Sequence, residues 1–550
     1  MEDKIVKDKI AVKTTVAEQL VEWLHAQGIG HVFGTPSGGW LPYMRAMKSG
    51  GVEFVLVSHE GAAGFMACGY AIAKGVPGAC YATIGPGATN LATGVGGAYL
   101  NRLPMLAFTT EAPGDLIGRT VQMAIDQQTL FKPLTKKTTR LEPERMVEIL
   151  QDAFTQATSE VPGPVHIGLP DDLSGVSVNR NGAPPAGTTT EIPAAPADTL
   201  REMDALFQAA RRPILAIGLG AVRSRSADLI RTIAERHSVP VILTPMAKGM
   251  LAEDHPAYTG VLFHALSDIV AETHREADLV VGVGYDPVEF NYESWMPPVR
   301  LLHVDVKEAD IDRGEYPNVT NVIGAIPPAL ERLAALDPIA SEWDFSKLRE
   351  RRDRMFSHFE PQSDKFGPIA ALAILRKHLP EDGIMTCDVG AHTHLIGQMW
   401  RTPAPGLQIM DNGWSSMGFG VPSAIGAKLA APEKEVVCVT GDGGFLMMAG
   451  EMATAKRIGH RIVFVMLCDN SLDLIRIKQD RRKHERYGTE LGPELSNKYD
   501  DMFGVPVIKA KDERSYDSAL KEAFSWDGPV IVQAFIDPSD YDGLILRKHK

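Results

Sequence analysis

Val436-Val437-Cys438-Val439-Thr440-Gly441-Asp442-Gly443-Gly444, followed one helix and one strand later by Asp469-Asn470-Ser471, decides how this chain is read. Glu435 to Thr440 is a short apolar run of strand type, and Phe445 to Ile458 carries helical spacing with few breakers. The glycines therefore fall at a strand-to-helix turn. Such a turn offers backbone N–H groups and a helix N-terminus to a phosphate, and glycine lets the phosphate approach where a Cβ would block it. Asp442 supplies an anionic oxygen for a hard cation. A second apolar run, Arg461 to Cys468, ends at Asp469, which can return to the same cation from a neighbouring strand end. Magnesium takes oxygen ligands in octahedral geometry and commonly bridges carboxylate to diphosphate. The Ser471 carbonyl and water would complete the set. Gly-Asp-Gly alone is an ordinary tight turn in which aspartate is favoured by turn chemistry. The second carboxylate one strand later, with the features upstream, favours a holder for a metal-bound diphosphate.

Val52 to Ser58 is another strand-like run, leading into His59-Glu60-Gly61-Ala62-Ala63-Gly64 and a small-residue helix through Ala73. This puts an acid at the end of a buried strand, where a carboxyl must be paired, protonated or functional because an unpaired buried carboxylate is costly. His59 reads as a packing residue or a local hydrogen-bond donor. Tyr81-Ala82-Thr83-Ile84-Gly85-Pro86-Gly87 repeats the order of strand, glycine turn and helix start. With these residues in view, nearly the whole chain resembles the thiamine diphosphate-dependent enzymes of the acetolactate synthase and 2-oxo acid decarboxylase group. It is closest in pattern to acetolactate synthase-like proteins without flavin.

The resemblance implies thiamine diphosphate and Mg2+ as cofactors, and it assigns roles. Glu60 matches the family glutamate that hydrogen-bonds the aminopyrimidine ring and activates the cofactor. Asp442 and Asp469 match the metal ligands, Ser471 gives the carbonyl, and Asn470 replaces Asp469 if the strand carries a one-residue bulge. Gly443 and Gly444 fall on the diphosphate-binding turn. Asp411 to Gly420 looks like the loop that bends the cofactor, with Met417 at the wedge between its rings and the Ser415 carbonyl facing its amino group. Outside the motif, a methionine there is plain core filling. Gln122, in Val121-Gln122-Met123-Ala124-Ile125-Asp126, resembles a Gln-x-x-x-Asp segment near the substrate, where an amide can donate to a developing oxyanion. A solvated loop glutamine is the other reading. His392, in Asp388-Val389-Gly390-Ala391-His392-Thr393-His394, matches a histidine near the diphosphate. The two histidines lack the cysteine or acid partners that zinc would need.

The cofactor performs the difficult step. A 2-oxo acid loses carbon dioxide, and the acceptor decides the product: an aldehyde, a 2-hydroxy-2-methyl type acid or an acyloin. An acetolactate synthase-like lyase and ligase is the first expectation. A 2-oxo acid decarboxylase, a benzaldehyde lyase-like carboligase and a 2-hydroxyacyl-CoA lyase or oxalyl-CoA decarboxylase stand as alternatives. They stay open because Ser471 to Gln479 does not reproduce the Gly-Met-Val-x-Gln-Trp run of biosynthetic acetolactate synthases. Arg476 or Lys478 could pair with a substrate carboxylate or a CoA phosphate, though a solvated basic face with Arg481, Arg482 and Lys483 is the first reading.

A chain of 550 residues is long enough for about three domains. The expected fold class is α/β, with three doubly wound parallel-sheet domains: pyrimidine-binding over 14–180, central over 198–336 and diphosphate- and Mg-binding over 367–540. Gly182 to Asp198 has linker composition, and Trp343 to Phe359 reads as a charged, helix-prone connector. A net charge of -13, with no basic stretch interleaved with aromatics, argues against nucleic acid. No run reaches membrane-spanning length, Met1 to Ile10 lacks an apolar signal core, and the five cysteines form no CxxC. These features point to the cytoplasm and to reduced core thiols. Gly218-Leu219-Gly220 raises a dinucleotide-dependent oxidoreductase, but Arg223 stands where the third glycine of the fingerprint belongs. Gly284 to Phe290 resembles the flavin-free catabolic acetolactate synthases, so FAD is not expected. A non-catalytic protein on a retained fold is disfavoured by the presence of Glu60, Gln122, Asp442 and Asp469. Because the family joins its glutamate and its metal site across a subunit interface, a homodimer or a dimer of dimers is expected, acting on a small 2-oxo acid, aldehyde or acyl-CoA.

Overall fold

The computed structural model describes residues 13–179, 190–360, 365–492 and 499–544. The N-terminal ten residues and residues 182–189 of the linker segment read above lie outside them. The chain divides into two compact units, Met1–Thr190 and Glu191–Lys550.

The first unit contains β1 (Lys13–Thr15), β2 (His31–Gly34), β3 (Glu53–Leu56), β4 (Gly78–Ala82), β5 (Met105–Glu111), β6 (Lys137–Arg140), β7 (Pro164–Pro170) and β8 (Ser177–Asn179). Six of them form a parallel sheet in the order β3-β2-β4-β5-β7-β6, while β1 and β8 pair antiparallel on their own. Every residue of β4, β5 and β7 is buried, as expected for inner strands of a parallel sheet covered by helices. The small-residue pattern after Glu60 has a packing cause. The helices Glu60–Lys74 and Pro86–Leu100 approach so closely that a Cβ on Gly64 would lie 2.6 Å from Gly94 Cα.

The second unit holds two sheets. The first comprises β9 (Pro213–Ile217), β10 (Val241–Leu243), β11 (Tyr258–Val261), β12 (Leu279–Val283), β13 (Arg300–Asp305) and β14 (Val319–Ile323), parallel in the order β11-β10-β9-β12-β13-β14. The second comprises β15 (Ile384–Cys387), β16 (Gln408–Met410), β17 (Val436–Gly441), β18 (Val463–Cys468), β19 (Asp501–Met502), β20 (Val505–Ala510) and β21 (Val530–Phe535). Its order is β16-β15-β17-β18-β21-β20-β19, antiparallel only at β19–β20. The three parallel sheets establish the α/β class.

The two sheets of the second unit share a continuous cluster of buried apolar side chains running from Ala195 to Tyr541. Polar ties cross between them. Gln398 accepts from Val261 N–H at 2.8 Å and donates to the Ala265 carbonyl at 2.8 Å, the buried Lys248 ammonium donates to the Trp400 carbonyl, and Thr402 N–H donates to Glu253 Oε1 at 3.1 Å. Among the described residues, no helix is long and apolar enough to cross a membrane. The five cysteines are buried and form no disulfide.

In open parallel sheets, ligands bind beyond the carboxyl ends of the strands where the strand order reverses. In the last sheet that reversal falls between β15 and β17, and three aspartates leave the ends of β15, β17 and β18 there. One expectation needs correction: Phe445 to Ile458 is not one helix. It is broken at Met448–Gly450 into Asp442–Met447 and Glu451–Ile458, so Gly443 and Gly444 lie inside a first helical turn rather than ahead of it.

Candidate active site

Asp442 is the first residue of its helix, with Gly441 as the N-cap in extended conformation. Its carboxylate joins two strand ends: Oδ1 accepts from Gly443 N–H at 2.8 Å and Oδ2 from Asn470 N–H at 2.7 Å. β18 delivers Asp469, whose Oδ1 accepts from Ser471 N–H at 3.0 Å, while Asn470 takes a left-handed φ of 60° between them. Hydrogen bonds from Leu472 N–H to the Thr489 carbonyl and from Leu491 N–H to the Asn470 carbonyl fasten this turn. Burial pushes Asp442 up to about 6, against the pull of the Asn470 and Gly443 amides. Burial, then the charges of Asp442 and Asp473, push Asp469 up to about 8. Among the described residues neither carboxylate forms an ion pair with a lysine or arginine, and a divalent cation would offset their charge. Among the described residues, no three His, Cys, Asp or Glu side chains form a metal cluster. The donors on offer are two carboxylates with a backbone carbonyl beside them.

Sequence reading missed the residue that organises this end of the sheet. Asp388, fully buried at the end of β15, accepts from Val389 N–H at 2.7 Å, Gly418 N–H at 2.8 Å and Thr440 Oγ1 at 2.9 Å. It therefore ties the loop carrying Met417 to the strand carrying Asp442. It also explains Gly444, where a Cβ would strike Asp388 Oδ2. Its only signal was its place at the end of an apolar run. Asp411 folds the same loop by accepting from Trp414 N–H at 3.1 Å and Ser416 N–H at 2.9 Å, and it leaves Ser415 at a φ of 55°.

A cavity of about 100 Å³ lies among these groups, lined by His392, Met417, Asp442, Gly443, Asp469 and Ser471 among others. Burial holds His392 down near 4, so its ring is neutral, and its buried Nε2 has no hydrogen-bond partner. A glycine cradle, two carboxylates and an orphaned ring nitrogen on one cavity fit a diphosphate with a divalent cation.

In the first unit, Glu60 does not sit at the end of a buried strand as expected. It is the half-buried first residue of the helix Glu60–Lys74, where negative charge is favoured, and its Oε2 accepts from Asn90 Nδ2 at 3.0 Å. His59 is exposed rather than packed, and it caps the helix by accepting from Gly61 N–H at 3.0 Å. Gln122 is exposed on a turn that passes over Gly85, where a Cβ would strike the Met123 carbonyl. The buried glutamine is Gln127. It accepts from Gly85 N–H at 3.0 Å and donates to Thr109 Oγ1 at 2.6 Å and the Thr110 carbonyl at 3.0 Å, which pins the glycine turn to β5.

Three profiles of known enzymes cover the chain: the N-terminal TPP binding domain of thiamine pyrophosphate enzymes at residues 14–130, the central domain at 200–333 and the C-terminal TPP binding domain at 388–534. The chain is 30% identical to a probable acetolactate synthase large subunit of Methanocaldococcus jannaschii, over 95% of this chain and 92% of that protein. It is 29% identical to the acetolactate synthase isozyme 1 large subunit of Escherichia coli, over 96% and 94%, and 28% identical to an acetolactate synthase of Bacillus subtilis, over 97% and 95%. The chain belongs to the thiamine pyrophosphate enzymes. Within them it is acetolactate synthase-like.

Two further expectations change for this thiamine pyrophosphate enzyme. The glycines after β9 do not open a nucleotide site: Gly220 N–H donates to the Gly284 carbonyl at 2.8 Å and Gly218 N–H to the Val283 carbonyl at 3.0 Å. The amides that would face a pyrophosphate are thus engaged by the chain itself, and the dinucleotide-dependent oxidoreductase reading falls. Arg476 is not on a solvated face either. It is buried and held by Asp473, Asp480 and Asp542, whereas Lys478 and Arg481 to Lys483 are exposed.

Proposed function

We propose that this enzyme uses Mg2+-bound thiamine diphosphate as an acetolactate synthase, releasing carbon dioxide from one 2-oxo acid and joining the remaining acyl carbon to a second. The observation that carries the reading is the pair of buried Asp442 and half-buried Asp469, set at adjacent strand ends around a glycine turn and both held well above the usual carboxylate range. The names of the relatives from Methanocaldococcus jannaschii, Escherichia coli and Bacillus subtilis support the choice of reaction. When bound, thiamine diphosphate supplies a nucleophilic carbon that adds to the 2-oxo acid carbonyl and an electron sink for the pair left behind by carbon dioxide.

In this reading Asp442, Asp469 and the Ser471 carbonyl hold Mg2+. Gly443 and Gly444 let the diphosphate approach the backbone, with His392 beside it. Met417 would pack against the rings of the cofactor, and the Ser415 carbonyl would accept from its amino group. Glu60 would hold a proton toward the pyrimidine ring, and Gln122 would orient the substrate. The domains at 14–180, 198–336 and 367–540 then serve as pyrimidine-binding, central and diphosphate-binding parts.

We also propose a homodimer or a pair of dimers, each site assembled from two subunits. Leu56, Met123 and Ile125 in the first unit and Leu446, Met447 and Ile475 in the second are large, exposed apolar side chains near the proposed groups, which supports their coverage by another subunit. A fully active monomer in sedimentation would remove that architecture.

The deciding experiment incubates pure protein with thiamine diphosphate, Mg2+ and pyruvate and scores acetolactate, acetaldehyde and carbon dioxide together. Acetolactate with equimolar carbon dioxide is the expected result. Acetaldehyde with carbon dioxide would make the enzyme a decarboxylase, and no turnover would send the search to aldehydes and acyl-CoA. Glu60→Gln is expected to retain the cofactor while losing turnover by about 100-fold or more. Unchanged hydrogen exchange at the thiazolium carbon in that variant would remove Glu60 from its role.

A further inference from the structure

Asp473 opens the helix Asp473–Arg481, is 4% exposed and lines the same cavity as Asp442 and Asp469. Three carboxylates therefore border a cavity that, on the function proposed above, must admit an anionic diphosphate. Two of them have a cation to meet, and the third does not.

Its counter-charge comes from Arg476. The guanidinium grips Asp473 in a fork, Nε to Oδ1 at 2.6 Å and Nη2 to Oδ2 at 3.0 Å. Nη1 reaches Asp480 at 3.2 Å, and Nη2 also reaches Asp542 at 2.9 Å. Asp542 belongs to the C-terminal helix Asp540–Leu544, whose buried Tyr541 is another wall of the cavity. Asp480 is in turn held by Arg486 at 2.8 Å. Bidentate arginine–carboxylate pairs are among the strongest and most directional of charged contacts, and breaking a buried one leaves an uncompensated charge.

We propose that Arg476 is a positioning residue that cancels the charge of Asp473 beside the cofactor pocket, so that a diphosphate can enter a cavity bordered by three carboxylates, and that Asp542 anchors this arginine to the C-terminal helix. The inference rests on the reading of the cavity as the Mg2+–diphosphate site. Its signature is a pair of effects of opposite sign. An uncompensated Asp473 repels the diphosphate but attracts the cation, whereas a merely structural loss weakens both.

The test measures equilibrium binding of thiamine diphosphate at fixed Mg2+, and separately of Mn2+ alone, to wild-type protein, Arg476→Gln, Arg476→Lys and the double variant Arg476→Gln/Asp473→Asn. Arg476→Gln is expected to weaken cofactor binding by roughly 10- to 100-fold while Mn2+ binds as tightly as to wild type or more tightly. The double variant removes both charges and is expected to recover cofactor affinity to within a few-fold. Arg476→Lys keeps the charge without the fork and is expected to stay within about tenfold of wild type. Parallel loss of cofactor and Mn2+ in Arg476→Gln, with no recovery in the double variant, would overturn the proposal while leaving the function intact. Should wild-type protein bind neither ligand, the function reading itself would fail.

Discussion

Two glycine turns in the second unit start from one plan and end in opposite states. Gly218-Leu219-Gly220 leaves β9 and Gly441-Asp442-Gly443-Gly444 leaves β17, each beside a reversal of strand order and each opening a short helix. In the middle sheet, glycine lets backbone touch backbone: a Cβ on Gly220 would lie 2.7 Å from Gly284 Cα, and the Gly220 amide is engaged. In the last sheet, glycine faces a buried carboxylate and a cavity, and Asp442 stands where the middle turn has Leu219. Glycine spacing therefore marks a close approach without saying what approaches. The carboxylates at neighbouring strand ends supply that, because they give the turn a charge that the chain leaves unbalanced.

The largest expected effect sharpens this contrast directly. Asp442→Ala should lower cofactor affinity on the order of 1000-fold, about 4 kcal/mol, with the apo protein still folded, as read by equilibrium dialysis and heat denaturation. The matching insult in the middle sheet should do the reverse. Gly284 has a φ of 57°, and a Cβ there would strike Ala221 N, so Gly284→Ala should cost about 3 kcal/mol of stability and leave the cofactor affinity of the folded fraction unchanged. A loss of cofactor affinity in that variant, with stability intact, would break the comparison.

Next in size is a pH effect beside the closed turn. Burial pushes Glu289 up to about 7 from an ordinary 4.5, and its Oε1 accepts from Met246 N–H at 2.8 Å. The folded chain keeps a proton there that the unfolded chain releases, so this contribution is full below about 4.5 and is lost as pH rises through 7. Glu289→Gln keeps the acceptor without the charge, and it should raise stability at pH 8 by about 3 kcal/mol relative to wild type and leave it nearly unchanged at pH 4. Denaturation at the two pH values checks it. The smallest effect is expected for the apo stability of Gly443→Ala. Its Cβ would meet Leu472 Cδ2 at 2.6 Å and Met417 Cε at 3.3 Å, both side-chain ends that can yield, so the cost should stay below about 1 kcal/mol.

The first unit shows where local reading stops. Glu60 was singled out from its place after an apolar run, yet its environment was misjudged, because a run ending at Ser58 does not reveal that the next helix begins at Glu60 with Asn90 as its partner. Gln122 stood in a recognisable segment, whereas the glutamine that holds the Gly85 turn is Gln127. Their difference is burial, and burial depends on which strands lie alongside.

Spacing alone was enough for the three parallel sheets, for the glycine turns at strand ends and for the paired aspartates at 442 and 469. Apolar runs and their breaks are properties of the chain itself, and they dictate which segments can be inner strands. Folding was needed to bring Asp388 beneath Gly444, to let Gly284 close the turn at Gly220 and to seat Arg476 among Asp473, Asp480 and Asp542. Each of those contacts joins an element end to a loop, a turn or a later helix. Strand order, register and burial choose such partners, and no short window of residues contains them.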